Sequence, residues 1–240
     1  MRVFVINLDK NTDRMDKMRR QLTDLCVEHE RFPAVYGAEL SHEEKKSAVN
    51  DFAWWCTQGY PARDGQVGCA LSHANIYRKM LSDNIGCACI LEDDVVFDAR
   101  FKDVLDFVEK RITVDKPEVV LLHCHFSGES QHTQEIELRR IKYERCAESY
   151  ILTRKAAELL IEANVPIRRP CDHWFKFAAS YGIHLYQAFP TTCRQDWSGT
   201  YASDIYTGNC VDVRTFGVVH KCLWKMKRCV GKTLEFLLRY

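Results

Sequence analysis

The sequence predicts an α/β fold with a mainly parallel central sheet and helices on both faces. Three observations predict it. Short apolar, β-rich runs alternate with amphipathic stretches from the first residues onward. The runs carry few polar residues, as strands covered on both faces require. Their regular alternation, with no internal repeat and no low-complexity linker, is the pattern of βαβ crossovers. The length of 240 residues suits one or two domains at roughly one per 150 residues. With 46% hydrophobic and 28% charged residues, the chain has ample core material, which excludes wholesale disorder.

Residues 3–8 read as the first buried strand. Asn11-Thr12-Asp13 then opens a helix whose Met15, Met18, Leu22 and Leu25 recur at helical spacing. Residues 27–35 connect into a second short strand ending at Tyr36-Gly37. Ser41 followed by Glu44 is a capping box for a helix near 42–50. Residues 59–65 are a loop by composition. A helix over 69–81 follows, so the glycines at 65 and 68 precede its start and Ser72 and His73 lie in its first turn. Residues 87–91 form the clearest strand, running straight into Glu92-Asp93-Asp94. A helix around 99–110 and a buried strand at 118–123 come next. Residues 127–142 are polar and read as a long loop or irregular hairpin. Residues 149–152 are extended, Thr153 caps a helix over 154–163, and Asp172-His173-Trp174 opens a short helix. A last strand falls at 183–189, and 190–218 look irregular.

The net charge of +1 conceals an asymmetry. Residues 221–240 hold six basic side chains and one acid, a local +5, leaving a body of −4. The global balance gives no support to a strongly cationic nucleic-acid binder, and no nucleic-acid partner is expected. Within the tail Leu223, Met226, Val230, Leu234 and Leu237 form a helical stripe with basic residues on the other faces. That composition suits an anionic membrane surface, while a helix docked on the protein's own core shows the same stripe. The 12 cysteines include no Cys-x-x-Cys pair, which argues against a zinc ribbon or thioredoxin motif. The opening run is too short for a signal peptide, so reduced cysteines used as small hydrophobes are expected. No stretch approaches the ~18 apolar residues of a membrane span.

Glu92-Asp93-Asp94 is the sharpest chemical signal. Carboxylates directly after an apolar strand stand at the edge where open α/β sheets bind ligands. Alternation along an extended chain predicts Glu92 and Asp94 on one side, where two hard oxygen donors suit Mg²⁺ or Mn²⁺. A solvated acidic turn ahead of a helix is the plainer alternative. The segment from Gly65 through Gly68 to Ser72 and His73 fits backbone approach to an anion or sugar, or an ordinary loop-to-helix turn. Asp172 fits either a helix cap or a general base. His123 and His125 end a strand as polar anchors or metal ligands. No nucleophile elbow, His-Glu-x-x-His or kinase motif set is present.

Several of these pieces occur together in one family. The strand ending Ile6-Asn7-Leu8 with Arg14 after it, then Arg31-Phe32-Pro33-Ala34-Val35-Tyr36-Gly37, resembles the start of glycosyltransferase family 25. The blocks Gly65-x-x-Gly68-Cys69-x-Leu71-Ser72-His73, Leu91-Glu92-Asp93-Asp94-Val95, Tyr150-Ile151-Leu152-Thr153-Arg154 and Pro170-x-Asp172 resemble its later motifs. The resemblance runs from residue 3 to about 197. It departs at Asn75-Ile76-Tyr77, where the family commonly carries a Trp after the Ser-His.

The resemblance implies a GT-A-like, Rossmann-type nucleotide-sugar fold, assigned to residues 1–218; the charge and stripe of the tail give a basic amphipathic helix at 219–240. It implies metal-dependent transfer of galactose from a UDP-sugar donor, UDP-galactose, to a lipid-linked oligosaccharide acceptor of lipooligosaccharide or lipopolysaccharide, with inversion to a β-linkage. Asp94 would ligate Mn²⁺ (or Mg²⁺), with Glu92 assisting at the metal or ribose beside Asp93. Asn7, Leu8, Arg14, Tyr36 and Gly37 would line the uridine pocket. Gly68, Ser72 and His73 would sit near the donor sugar or phosphates, and Asp172 would be the catalytic base. A cytoplasmic enzyme, peripheral on the inner face of the membrane, is the matching location. The alternatives are a metal-dependent nucleotidyl- or phosphotransferase, or a non-catalytic nucleotide- or saccharide-binding relative.

Overall fold

A computed structural model describes residues 1–123 and 135–196 of the protein. His125 and the proposed helix at 219–240 lie outside the described residues.

The chain opens with β1 (Arg2–Asn7), α1 (Thr12–Asp24) and β2 (Glu30–Pro33). A single 3-10 turn at Gly37–Glu39 leads to α2 (His42–Ala48) and α3 (Asp51–Gln58). Next come α4 (Asp64–Ser82), β3 (Cys87–Glu92), β4 (Val95–Phe97), α5 (Phe101–Arg111) and β5 (Glu118–Leu121). The described fold continues with β6 (Glu137–Arg140), β7 (Ser149–Thr153), α6 (Arg154–Asn164), α7 (Trp174–Tyr181), β8 (His184–Phe189) and β9 (Cys193–Gln195).

Seven strands form one sheet in the order β2-β1-β3-β7-β5-β8-β6. β1 pairs in parallel with β2 and β3, and β5 in parallel with β8. β7 runs antiparallel between β3 and β5, and β6 antiparallel on the β8 edge. Five strands therefore point one way, and the expected mainly parallel α/β sheet is present with one reversed strand inserted at its centre.

Side-chain alternation supplies both faces. Phe4 and Ile6 of β1, Ala88 and Ile90 of β3, and Tyr150 and Leu152 of β7 pack with Ile76, Met80, Leu160, Trp174 and Phe177 of α4, α6 and α7. Val3, Val5, Cys89, Leu91 and Ile151 turn the other way onto Met15, Met18 and Leu22 of α1 and Phe101, Val104 and Val108 of α5. Each such apolar side chain, taken from water to full burial, contributes about 1.5–3 kcal/mol.

Two local signals read from the sequence act as expected. Ser41 and Glu44 form the reciprocal capping box of α2. Thr153 Oγ1 accepts the Ala156 N–H at the start of α6.

Other boundaries differ. The second strand ends at Pro33 rather than at Tyr36-Gly37. α3 was not anticipated, although Asn50 caps it through Ala53 N and Gly59 closes it at φ 78°. Strand β6 lies within the stretch read as a loop, and β9 in the stretch read as irregular; both are short, polar edge strands. The largest difference is α4, which begins at Asp64, five residues before the expected start at 69. Gln66 Oε1 accepts the Arg63 N–H, and the buried Asp64 carboxylate pairs with Lys45 Nζ at 2.9 Å. Gly65 and Gly68 therefore sit inside the helix rather than ahead of it. Ser72 and His73 are in its middle turns, not its first.

Candidate functional site

Gly68 is a glycine because another backbone touches it. A Cβ there would lie 2.4 Å from the Val35 carbonyl oxygen and 2.8 Å from Gly37 N. A Cβ on Gly37 would lie 1.9 Å from the Asp64 carbonyl oxygen. The segment leaving β2 is thus pressed onto α4 at two facing glycines. Ser72 fastens the contact, because its Oγ accepts the Val35 N–H at 2.8 Å and donates to the Gly68 carbonyl at 2.7 Å. Gly68 and Ser72 of this block thus serve close packing.

That contact builds one wall of a cleft at the carboxyl ends of β1, β2 and β3. This is the sheet edge where ligand binding was expected. Asn7, Leu8, Arg14, Tyr36, Gly37, Ser72, Glu92, Asp93 and Asp94 all line it. Gly68, His73 and Asp172 do not; they stand in the layer behind. Gly65, read as a point of ligand approach, lines it too, as do Asn11, Val35 and Cys69, to which no site role was given.

The three carboxylates do not alternate as an extended chain would place them. β3 ends at Glu92, and Asp93 and Asp94 occupy the turn into β4, which breaks the two-residue period. Asp93 accepts from Asn7 Nδ2 at 2.7 Å and pairs with Arg14 Nη1 at 3.2 Å. Arg14 Nη2 reaches Asp94 Oδ2 at 3.2 Å, so one guanidinium brackets both aspartates. Arg31 in turn holds Asn7, donating from Nε to its side-chain oxygen at 2.8 Å. Arg14 lines the expected uridine pocket, yet its charge is directed at the aspartates.

Gln195 of β9 donates to Asp94 Oδ2 at 2.8 Å. Asp94 Oδ1 is buried with no hydrogen-bond partner among the described residues. Burial, and then the nearby carboxylates of Asp93 and Glu148, push the Asp94 carboxyl above the usual range against Gln195 and Arg14. A buried, donor-less oxygen among acids is the local shortage of positive charge that a hard divalent cation relieves. Mn²⁺ or Mg²⁺ therefore fits the donor set at Asp94.

Glu92 turns instead toward α4. Its Oε1 lies 3.3 Å from His73 Nε2 and 4.0 Å from Cys69 Sγ. Burial, more than the Asp94 charge, raises its carboxyl. His73 is 1% exposed, with Nδ1 2.7 Å from the Tyr150 hydroxyl, which lies 2.7 Å from that of Tyr77. Burial alone would depress His73, but the Cys69 and Glu92 partners outweigh it and raise it to about 9. Cys69 is drawn down to about 7, chiefly by its contact with Cys171 Sγ at 3.6 Å.

Asp172 follows Cys171. It does not cap α7, whose N-cap residue is His173. Its Oδ2 instead accepts from Cys146 N at 3.3 Å, and burial raises its carboxyl above the usual range. Helix capping, the plainer of the two readings of Asp172, is therefore wrong. His123, expected as polar anchor or ligand, is 1% exposed and has Nε2 2.9 Å from the Arg145 carbonyl, a structural placement.

The model of glycosyltransferase family 25 (LPS biosynthesis protein) matches residues 1–175. The chain belongs to glycosyltransferase family 25. Curated relatives include procollagen galactosyltransferase 1-B of Xenopus laevis, 31% identical over 140 residues, covering 48% of this chain and 22% of the relative. A glycosyltransferase 25 family member of Drosophila melanogaster is 38% identical over 104 residues, covering 42% and 17%. Procollagen galactosyltransferase 2 of Homo sapiens is 30% identical over 106 residues, covering 43% and 17%. The matched part of this chain spans only about a fifth of these relatives' length. Among the described residues no helix is long and apolar enough to cross a membrane.

Proposed function

We propose that this family 25 chain transfers galactose from UDP-galactose to a hydroxyl of a saccharide acceptor, with a divalent cation at Asp94. The observation that carries the reading is the buried Asp94 oxygen at a strand's carboxyl end, without a hydrogen-bond partner among the described residues and inside the cleft. When bound, the cation neutralises charge developing on the departing UDP.

The chain's own residues divide the remaining work. Asn7, Leu8, Tyr36 and Gly37 hold the uridine, and Ser72 keeps the Val35–Gly37 backbone in place against it. Arg14 and Asn7 orient Asp93 and Asp94. Glu92 and His73 stand at the donor-sugar side, with Gly68 behind them. Asp172 takes the proton from the acceptor hydroxyl. What supports Asp172 is its place next to Cys171, whose sulfur meets that of the cleft residue Cys69, and a carboxyl that burial raises above the usual range. One in-line displacement then gives the β-linkage with no covalent nucleophile. The proposed acceptor is the lipid-linked oligosaccharide of lipooligosaccharide, met from the cytoplasmic face of the membrane with the basic 219–240 segment as surface anchor.

A panel of UDP-galactose, UDP-glucose and N-acetylated UDP-sugars with Mn²⁺ tests this, with lipooligosaccharide and procollagen as separate acceptor arms. Product mass should rise by one hexose with UDP-galactose on lipooligosaccharide. Nucleotidyl products from nucleoside triphosphates, or UDP binding without turnover, would replace the transferase reading with one of its alternatives. In Asp172→Asn, UDP binding should persist while transfer falls by about 10²–10⁴. Equal loss of both assigns Asp172 a structural role.

A further inference from the structure

The α4 side of the cleft carries two thiols, Cys69 and Cys171, for which the proposed transfer has no use. Cys69 and His73 are four apart on α4 and so share one helix face. Cys171 arrives from the segment before α7, and Glu92 from the end of β3. The ligand atoms of Cys69, His73 and Cys171 all lie within 4.8 Å of one another. We propose that Cys69, His73 and Cys171 form a tetrahedral zinc site whose fourth position faces Glu92, distinct from the hard-cation site at Asp94.

The spacings support it. With Zn–S of about 2.3 Å, a tetrahedron places two sulfurs about 3.8 Å apart; with Zn–N and Zn–O near 2.0–2.1 Å, it places those two atoms about 3.3 Å apart. The Cys69–Cys171 sulfurs are 3.6 Å apart, and His73 Nε2 is 3.3 Å from Glu92 Oε1. The 4.0 Å between Cys69 Sγ and Glu92 Oε1 closes by a few tenths of an ångström. The support around the ligands is also in place. His73 Nδ1 meets the Tyr150 hydroxyl, which leaves Nε2 facing the sulfurs, and the Tyr77 hydroxyl backs Tyr150. Two thiolates and an imidazole select zinc over Mn²⁺ or Mg²⁺, and binding releases the thiol protons to solvent. The metal would join segments 102 residues apart in sequence and fix the backbone on which Asp172 follows Cys171.

The full chain, expressed with zinc and dialysed against excess Mn²⁺, should retain about one zinc per chain by elemental mass spectrometry. Zinc X-ray absorption should report two sulfur and two nitrogen or oxygen neighbours. Cys171→Ser should lower zinc retention at least tenfold, while Cys26→Ser, at an exposed cysteine, leaves it unchanged. A zinc-free chain, a shell of four sulfurs or four oxygens, or a Cys69–Cys171 disulfide in the intact mass overturns the site. If Cys171→Ser does not fold, the wild-type absorption spectrum decides. Zinc content is read without any sugar donor, so its failure is separate from failure of the transferase reading.

Discussion

The two walls of the cleft use opposite chemistries although Glu92 and Asp94 are two residues apart. On the β1 and α1 side, oxygen atoms of Asp93 and Asp94 face the guanidinium of Arg14. On the α4 side, Cys69, Cys171 and His73 form a sulfur and nitrogen cluster around Glu92. The first wall compensates charge through side chains local to β1, α1 and β3. The second is assembled by tertiary packing of α4 against the segment before α7. A turn one residue after a strand is enough to send neighbouring carboxylates into hard and soft surroundings.

Removing the unpaired oxygen breaks the comparison most severely. Asp94→Asn should lower Mn²⁺-stimulated transfer about a thousandfold, the size expected when one electrostatic contact to the transition state is lost. Unchanged turnover would remove the metal from this wall. Next in size is Arg14→Met, which leaves two buried carboxylates without their shared cation. It should destabilise the chain by about 3 kcal/mol in urea unfolding. Added Mn²⁺ should recover part of that loss, and if it recovers none, Arg14 and the cation do not share these acids. Smaller again, Gly68→Ala presses a methyl on the Val35 carbonyl and should cost about 2 kcal/mol as overpacking, while also weakening UDP binding. Normal UDP affinity in this variant would free the nucleotide pocket from the α4 contact.

The smallest effect belongs to the residue beyond Asp172. Burial, then the charges of Lys176, Arg145 and Arg169, hold His173 well below its usual value. The unfolded chain takes up a proton on this histidine below about pH 6.5 that the folded chain refuses. Stability should therefore fall on acidification through that range, by up to about 1.4 kcal/mol per pH unit. Urea midpoints of wild type and His173→Phe, compared between pH 7 and pH 5, isolate the contribution; parallel curves would exclude it.

Much of the fold was legible because it depends on local pattern. The apolar runs around Val5 and Ile90 identify β1 and β3, and Thr153 marks the start of α6 by its own hydroxyl. The carboxylates were legible as a site because they end a strand. Less visible were features settled by partners distant in sequence. Glycines 65 and 68 read as breakers until Val35 and Gly37 are seen against α4. Gln195 finds Asp94 across 101 residues, and Cys171 finds Cys69 across 102. Asn50 and Gly59 did signal α3, but its eight residues carry too little apolar periodicity to stand out.

The antiparallel ribbon of β4 and β9 has a mechanical consequence. Beyond Gln195, the Asp196 N–H donates to the Asp94 carbonyl at 2.7 Å, and Asp196 is anchored to Lys17 of α1 at 2.5 Å. The ribbon thus lies at the rim of the cleft, one hydrogen bond from the Asp93-Asp94 turn. A shift of this ribbon would therefore move the Asp94 turn and α1 together, which couples the orientation of one cleft carboxylate to a strand more than a hundred residues away.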